Sequence, residues 1–170
     1  KEGVLFTNFY ANSIQTSRTL LSSLFGILSP YSLDTGIKSL LKSKLNGVPK
    51  FLKDRGYRLE FIKGGKLKFE WWRYFLPRFF DQVRDCEAAA QLCKEVGGAI
   101  CENTSSWGIR DELSMKLMEK TWTDLKNKGL PFFINYYSVS SHDPFQSKIP
   151  GYKPSPWIRE HGKKQLACKL

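Results

Sequence analysis

No stretch of this sequence is long and apolar enough to cross a membrane. The longest apolar run lies around Pro131 to Tyr137, far short of the roughly 20 residues a spanning helix needs. Close cysteine pairs are missing as well. Cys86, Cys93 and Cys101 are separated by six and seven intervening residues, and Cys168 stands far away. That spacing matches none of the common zinc patterns. The first three cysteines can pair in an oxidising compartment or remain buried thiols, and no connectivity follows from spacing. The chain also has no basic leader with an apolar core and a small-residue cleavage site, and Lys1 is not an initiator Met. It is therefore expected to be a soluble piece of a longer chain. Acidic residues are scarce, with 16 Asp and Glu against 27 Lys and Arg, a net charge of +11 and a sequence pI near 9.6. Such an excess favours anionic partners, whether nucleic acid, a phospholipid surface or a phosphate-bearing substrate, without choosing among them.

What is present reads as one domain. A length of 170 residues supports a single core, and 41% hydrophobic with 25% charged residues argues against disorder. Aromatics at 14% imply a heavily packed core or an apolar cleft. Gly3 to Tyr10 is apolar enough for a short strand or its extended continuation. Leu20, Leu21, Leu24 and Phe25 then mark the buried face of a short helix that Gly26 stops. Thr16, Ser17 and Arg18 fall at or just before its N-terminus, where unpaired N–H groups and the helix dipole suit an anion. A Thr-Ser pair at that place is more often simply an N-cap.

Further along, Val48 to Gly56 reads as a short helix with Pro in its first turn, and Tyr57 to Ile62 alternates as a strand ended by Gly64-Gly65. This is an αβ unit, and the C-terminal edge of an open α/β sheet is where ligands bind. Lys66 to Phe80 interleaves basic residues with Trp71, Trp72, Tyr74 and Phe75. Such a mixture can stack single-stranded nucleic acid, but aromatics at helical spacing more often pack inward over a sheet. Residues 81–102 are expected to form a short helix and a surface insertion. Asp111 and Glu112 suit the first turn of a helix that shows Leu113, Leu117, Met118, Thr121, Trp122 and Leu125 on one face. Pro131 to Val139 reads as a buried strand emptying into a turn, Ser140-Ser141-His142-Asp143-Pro144-Phe145. A lone His at a strand's C-terminal end is a functional candidate, although a turn His bonded to backbone is the plainer reading. Residues 146–170 form a loop-rich tail in which His161 reads as a surface residue.

Three separated segments together resemble one family. Asn8-Phe9-Tyr10-Ala11-Asn12 through Thr16-Ser17-Arg18 to Leu24-Phe25-Gly26 resembles the nucleophile segment of lipoteichoic-acid-synthase-like sulfatases. Ser106-Trp107-Gly108-Ile109-Arg110-Asp111-Glu112 resembles their Trp-Gly-x-x-Asp motif, and the strand ending in His142-Asp143-Pro144-Phe145 resembles their Ser/Asn-His-x-Pro-Phe turn. The resemblance covers residues 6–145 of a single partial domain spanning 1–170. It implies a three-layer αβα sandwich of alkaline-phosphatase and sulfatase type, incomplete at both ends, in the extracytoplasmic part of a membrane-anchored bacterial cell-envelope protein.

By the same resemblance Thr16 is the nucleophile and touches a divalent metal, manganese or magnesium, and His142 bonds the transferred group or the leaving oxygen. Arg18, Trp107 and Arg110 contact the substrate. The implied activity is phosphoglycerol or phosphoryl-group transfer, or phosphodiester cleavage, on an anionic lipid or glycan head group. Sulfate-ester hydrolysis is the alternative on the same fold, and a basic non-catalytic binding module is a second; nucleic acid is not an expected partner. Arylsulfatases proper place Cys or Ser ahead of Pro-Ser-Arg, whereas this chain has Thr16-Ser17-Arg18 without Pro, which favours phosphoryl transfer. The family's acidic metal ligand before the nucleophile and its later Asp-His pair have no counterparts here, so these 170 residues alone are expected to be inactive.

Overall fold

The computed structural model describes residues 3–13, 15–28, 36–96, 104–105, 107–140 and 142. Gly3 to Tyr10 does not join the sheet: the segment has no strand pairing, and Val4, Leu5, Phe6, Phe9 and Tyr10 are exposed. Helix α1 (Thr16–Phe25) follows, and Gly26, at φ 67°, closes it in the left-handed conformation that glycine adopts without a Cβ penalty. Leu20 and Leu21 are fully buried, as the i, i+1, i+4, i+5 spacing requires. Each contributes about 1.5–3 kcal/mol of apolar burial. Helix α2 (Val48–Lys53), with Pro49 in its first turn, leads into strand β1 (Arg58–Lys63).

Strand β1 is the centre of a three-stranded parallel sheet of order β2-β1-β5, with β2 at Gln82–Arg84 and β5 at Phe132–Tyr137. Leu59 lies beside Phe133 and Lys63 beside Tyr137. A central parallel strand is covered on both faces, and Leu59, Glu60, Phe61 and Ile62 are all buried. The polar positions of β1 therefore do not line a solvated face. Glu60, 2% exposed, is instead held by Arg58 at 3.2 Å and Arg84 at 2.6 Å.

Two cores occupy the two faces of this sheet. On one, Leu59 and Phe61 pack with α1, with helix α3 (Trp72–Phe75) and with the turn at Leu76–Arg78. On the other, Ile62 packs with helix α4 (Cys86–Val96) and helix α5 (Asp111–Asn127). Helix, sheet and helix give the three-layer α/β sandwich.

Two further expectations are corrected. The stretch from Asp81 carries the expected helix but is not confined to the surface: it supplies β2, and α4 buries Cys86, Ala89 and Cys93 in the second core. Trp122 is 46% exposed and lies off the buried face of α5, which consists of Leu113, Ser114, Leu117, Thr121 and Leu125. The inward packing expected of the aromatics holds for Trp72, which is fully buried, while Trp71 is exposed beside Tyr74. Cys93 is disulfide-bonded and Cys86 is a free buried thiol. Cys101, Cys168, His161, the tail 146–170 and the residues Asp143-Pro144-Phe145 lie outside the described residues.

Candidate active site

At the C-terminal edge of the sheet, the turn after β1 and the short antiparallel pair β3 (Thr104–Ser105) and β4 (Gly108–Ile109) meet backbone to backbone. Ile109 N–H donates to the Gly64 carbonyl at 2.9 Å, and Gly108 bridges Gly65. A Cβ on Gly108 would run into the Gly64 carbonyl oxygen and would lie 2.6 Å from Gly65 Cα. A Cβ on Gly65 would in turn lie 2.9 Å from the Trp107 carbonyl oxygen, so Gly65 and Gly108 both need to lack side chains. The same contact fixes Trp107 above the edge, where its ring lies 4.2 Å from that of His142 and 5.8 Å from that of Phe69.

His142 is held from a different direction. Its N–H donates to the Val139 carbonyl at 2.9 Å, forming a turn directly after β5. Asp111, the first residue of α5, clamps that turn: its Oδ1 accepts from Val139 N–H at 2.7 Å and Ser140 N–H at 3.1 Å. Ser140 Oγ in return accepts from Asp111 N–H at 2.9 Å. The Asp of the Trp-Gly-x-x-Asp motif thus ties the Trp107 segment to the His142 segment.

Thr16 is the first residue of α1. The N-cap is Gln15, in an extended conformation and without a side-chain cap bond. Thr16 is therefore not the cap that local spacing favours, and its exposed side chain lies where the N–H groups of the first turn emerge. Thr16, Trp107 and His142 wall one cavity of about 680 Å³, together with Gln15, Tyr137 and the loop from Lys63 to Glu70. Arg18, 7% exposed, is not among its walls. Arg110 is not either: it precedes α5, and its guanidinium is 2.7 Å from the Glu112 carboxylate.

The cavity is basic. Lys63, Lys66 and Lys68 line it, with Glu70 the only carboxylate among its described walls. Burial pushes the Lys63 ammonium below its ordinary pKa, against the opposing pull of Glu70, Asp85 and Cys86. The same burial raises the Tyr137 phenol. These lysines are functional candidates that sequence reasoning did not single out, and Asp111, named there only within the Trp-Gly-x-x-Asp motif and the first turn of its helix, gains a positioning role. A run of basic residues immediately after a strand's C-terminal end was the available signal for the lysines. Nothing in the local sequence announced the clamp made by Asp111.

The divalent metal implied by the resemblance does not fit the described residues: no group of three or more His, Cys, Asp or Glu side chains among them could hold one.

A parallel β-sheet lies between helical layers, with a basic cavity at its C-terminal edge and a hydroxyl on a helix N-terminus. Solved structures share this α/β fold. A protein in the alkaline phosphatase superfamily from Vibrio parahaemolyticus matches with a TM-score of 0.70 and 21% identity, over 88% of this chain and 35% of its own. The lipoteichoic acid synthase LtaP from Listeria monocytogenes matches with a TM-score of 0.65 and 19% identity, over 84% and 33%. The sequence matches the sulfatase family over residues 1–168, and the chain belongs to that family. Among curated proteins, phosphoglycerol transferase I of Xanthomonas axonopodis pv. citri is 27% identical over 95 residues, 55% of this chain. Phosphoglycerol transferase I of Xanthomonas euvesicatoria pv. vesicatoria is similar to the same extent. The chain spans 13% of the length of these curated relatives and about a third of the solved ones. Among the described residues no helix is long and apolar enough to cross a membrane.

Proposed function

We propose that this chain carries the nucleophile and head-group pocket of a phosphoryl-group or phosphoglycerol transferase, or phosphodiesterase, acting on an anionic lipid or glycan head group. The observation that carries the reading is the common cavity: Thr16, Trp107 and His142 come from three distant segments, and all wall one basic pocket. Thr16 Oγ1 attacks phosphorus, the bond from phosphorus to the departing alcohol breaks, and the alcohol leaves with a proton. A phosphothreonine results, and water or an acceptor alcohol resolves it. His142, beside Trp107, bonds the transferred group or the leaving oxygen, and the lysines offset its negative charge. Arg18 and Arg110 remain candidate substrate contacts that would have to leave their present positions to reach the pocket. A divalent metal, manganese or magnesium, belongs to this reading because it would acidify the Thr16 hydroxyl. Its other ligands would come from outside the described residues. The extracytoplasmic face of a bacterial cell envelope is where such head groups are met.

The test uses the full-length protein with an anionic phospholipid diester and manganese or magnesium. Mass spectrometry is expected to find a phosphoryl adduct on Thr16, and Thr16→Ala to abolish both adduct and turnover. Full activity in Thr16→Ala would sink the reading. Matched phosphate and sulfate esters, assayed side by side, separate it from sulfate-ester hydrolysis.

A further inference from the structure

The end of β1 and the loop that follows it place three lysines on one wall of the cavity. Lys50, Lys53, Arg58, Arg84, Arg110 and Lys120 each lie within ion-pair distance of a carboxylate. Among the described residues, Lys63, Lys66 and Lys68 make no such pair. Lys63 is half-buried, with its Nζ 3.9 Å from the centre of the Trp72 ring. A cation over an indole face is attracted by the ring but keeps its hydrogen-bond donors available for a ligand.

Trp72 is itself fixed from behind. Its Nε1–H donates to Glu70 Oε2 at 3.3 Å, and its ring packs against Phe61 and Tyr137. Glu70 reaches that position through a strained backbone. Glu70 and Trp71 stand at φ 54° and 64°, consecutive left-handed residues that are not glycine. Such residues cost roughly 1–3 kcal/mol each and persist where the surroundings over-determine them. Glu70 thus holds Trp72, and Trp72 holds Lys63 toward the cavity. This positioning device has no evident use in binding the single group that reacts at Thr16.

We propose that Lys63, with Lys66 and Lys68, forms a second anion subsite in the cavity, so that the substrate bears two anionic groups. One is the phosphoryl group that reacts at Thr16; the other is a non-reacting phosphate or carboxylate on the same head group, gripped by the lysines. Glu70 is a positioning residue for Lys63 through Trp72. This inference rests on the transfer reading above. A cavity of about 680 Å³ has room for more than one phosphate, since ligand pockets for drug-sized molecules run from roughly 300 to 1,000 Å³.

Calorimetry on the 170-residue chain tests it without requiring turnover. The probes are glycerol 1-phosphate, with one anionic group, and glycerol 1,3-bisphosphate, with two. The bisphosphate is expected to bind at least about tenfold more tightly, the scale of one charge-assisted contact. Lys63→Met is expected to remove most of that preference, and Lys66→Met with Lys68→Met part of it. Glu70→Gln is expected to weaken it with Lys63 intact, and Lys120→Met to leave it unchanged. Circular dichroism spectra matching the wild type show that each variant is folded. A preference that survives Lys63→Met and the Lys66→Met, Lys68→Met pair, or equal affinity of the two probes, overturns the subsite. Transfer by the full-length protein that is lost in Thr16→Ala, alongside equal probe affinities, removes the subsite and keeps the nucleophile. Transfer that persists in Thr16→Ala, alongside the lysine-dependent preference, does the reverse.

Discussion

Asp111 holds Val139 by a 2.7 Å hydrogen bond from the Val139 N–H to its Oδ1, joining the start of α5 to the turn that follows β5. The same oxygen takes the Ser140 N–H at 3.1 Å. One carboxylate therefore fixes the path of the chain into His142. Asp111→Ala deprives two part-buried amides of their acceptor and is expected to cost about 2–3 kcal/mol. Asp111→Asn keeps a carbonyl oxygen and is expected to cost about 1 kcal/mol. Urea denaturation measures both, and amide exchange at Val139 and Ser140 should quicken in proportion.

Gly108 is a second point at which the site has no slack. An alanine there meets the Gly64 carbonyl oxygen and Gly65 Cα, both backbone atoms that cannot rotate away. Gly108→Ala is expected to destabilise by about 1–3 kcal/mol, the usual cost of overpacking, or more. Gly26→Ala faces open space and carries only the cost of a left-handed residue, about 1 kcal/mol. Unfolding midpoints of the two variants, measured under one set of conditions, are expected to fall in that order.

Lys63 makes stability depend on pH in a definite direction. Burial lowers its pKa in the folded chain, while Glu70, Asp85 and Cys86 pull the other way. In the window between the folded value and the ordinary lysine value, the unfolded chain binds more protons, so stability rises with pH. Below that window the folded protein bears the whole penalty of the charged form. Wild type is therefore expected to gain stability relative to Lys63→Met as pH rises from neutral toward the lysine range. A flat difference in denaturation free energy would contradict this.

Cys86 is a free thiol at 6% exposure, and burial raises its pKa above the ordinary value. Since the thiolate is the reactive form, alkylation of Cys86 in the native protein is expected to be slow. Unfolding in urea should speed it by about a hundredfold or more, in step with the opened population. Peptide mass spectrometry after timed labelling reads this directly.

Where the local pattern matched a repeat of the backbone, the sequence was legible. Leu20, Leu21, Leu24 and Phe25 announced α1, Pro49 and Gly56 bracketed α2, and the apolar run after Pro131 announced β5. Strand β2 was not legible, because Gln82-Val83-Arg84 has no period to read and acquires its conformation only by pairing with β1. The burial of Glu60 was hidden for a related reason: a polar residue in an alternating strand normally marks the wet face, and it is Arg84 arriving from the neighbouring strand, beside Arg58, that makes an inward carboxylate tolerable. Within the site, motif order brought Thr16, Trp107 and His142 to attention. The lysine wall lay in one short segment, Lys63 to Lys68, whose place at the pocket only the fold reveals, whereas the Asp111 clamp is a property of how two separate segments meet.

The pairing of Lys63 with Tyr137 at the end of the sheet works as a gauge block for the pocket. Both residues lie on the same face and both reach the cavity, so the depth of the pocket is set by how far β5 runs along β1. Slipping β5 by one residue would turn Tyr137 toward α5, bring Tyr136 to the cavity side and reverse every side chain of the strand. A residue inserted within β5 would thus dismantle the pocket floor without touching Thr16 or Lys63. The same insertion beyond the Asp111 clamp would leave the register, and the floor, as they are.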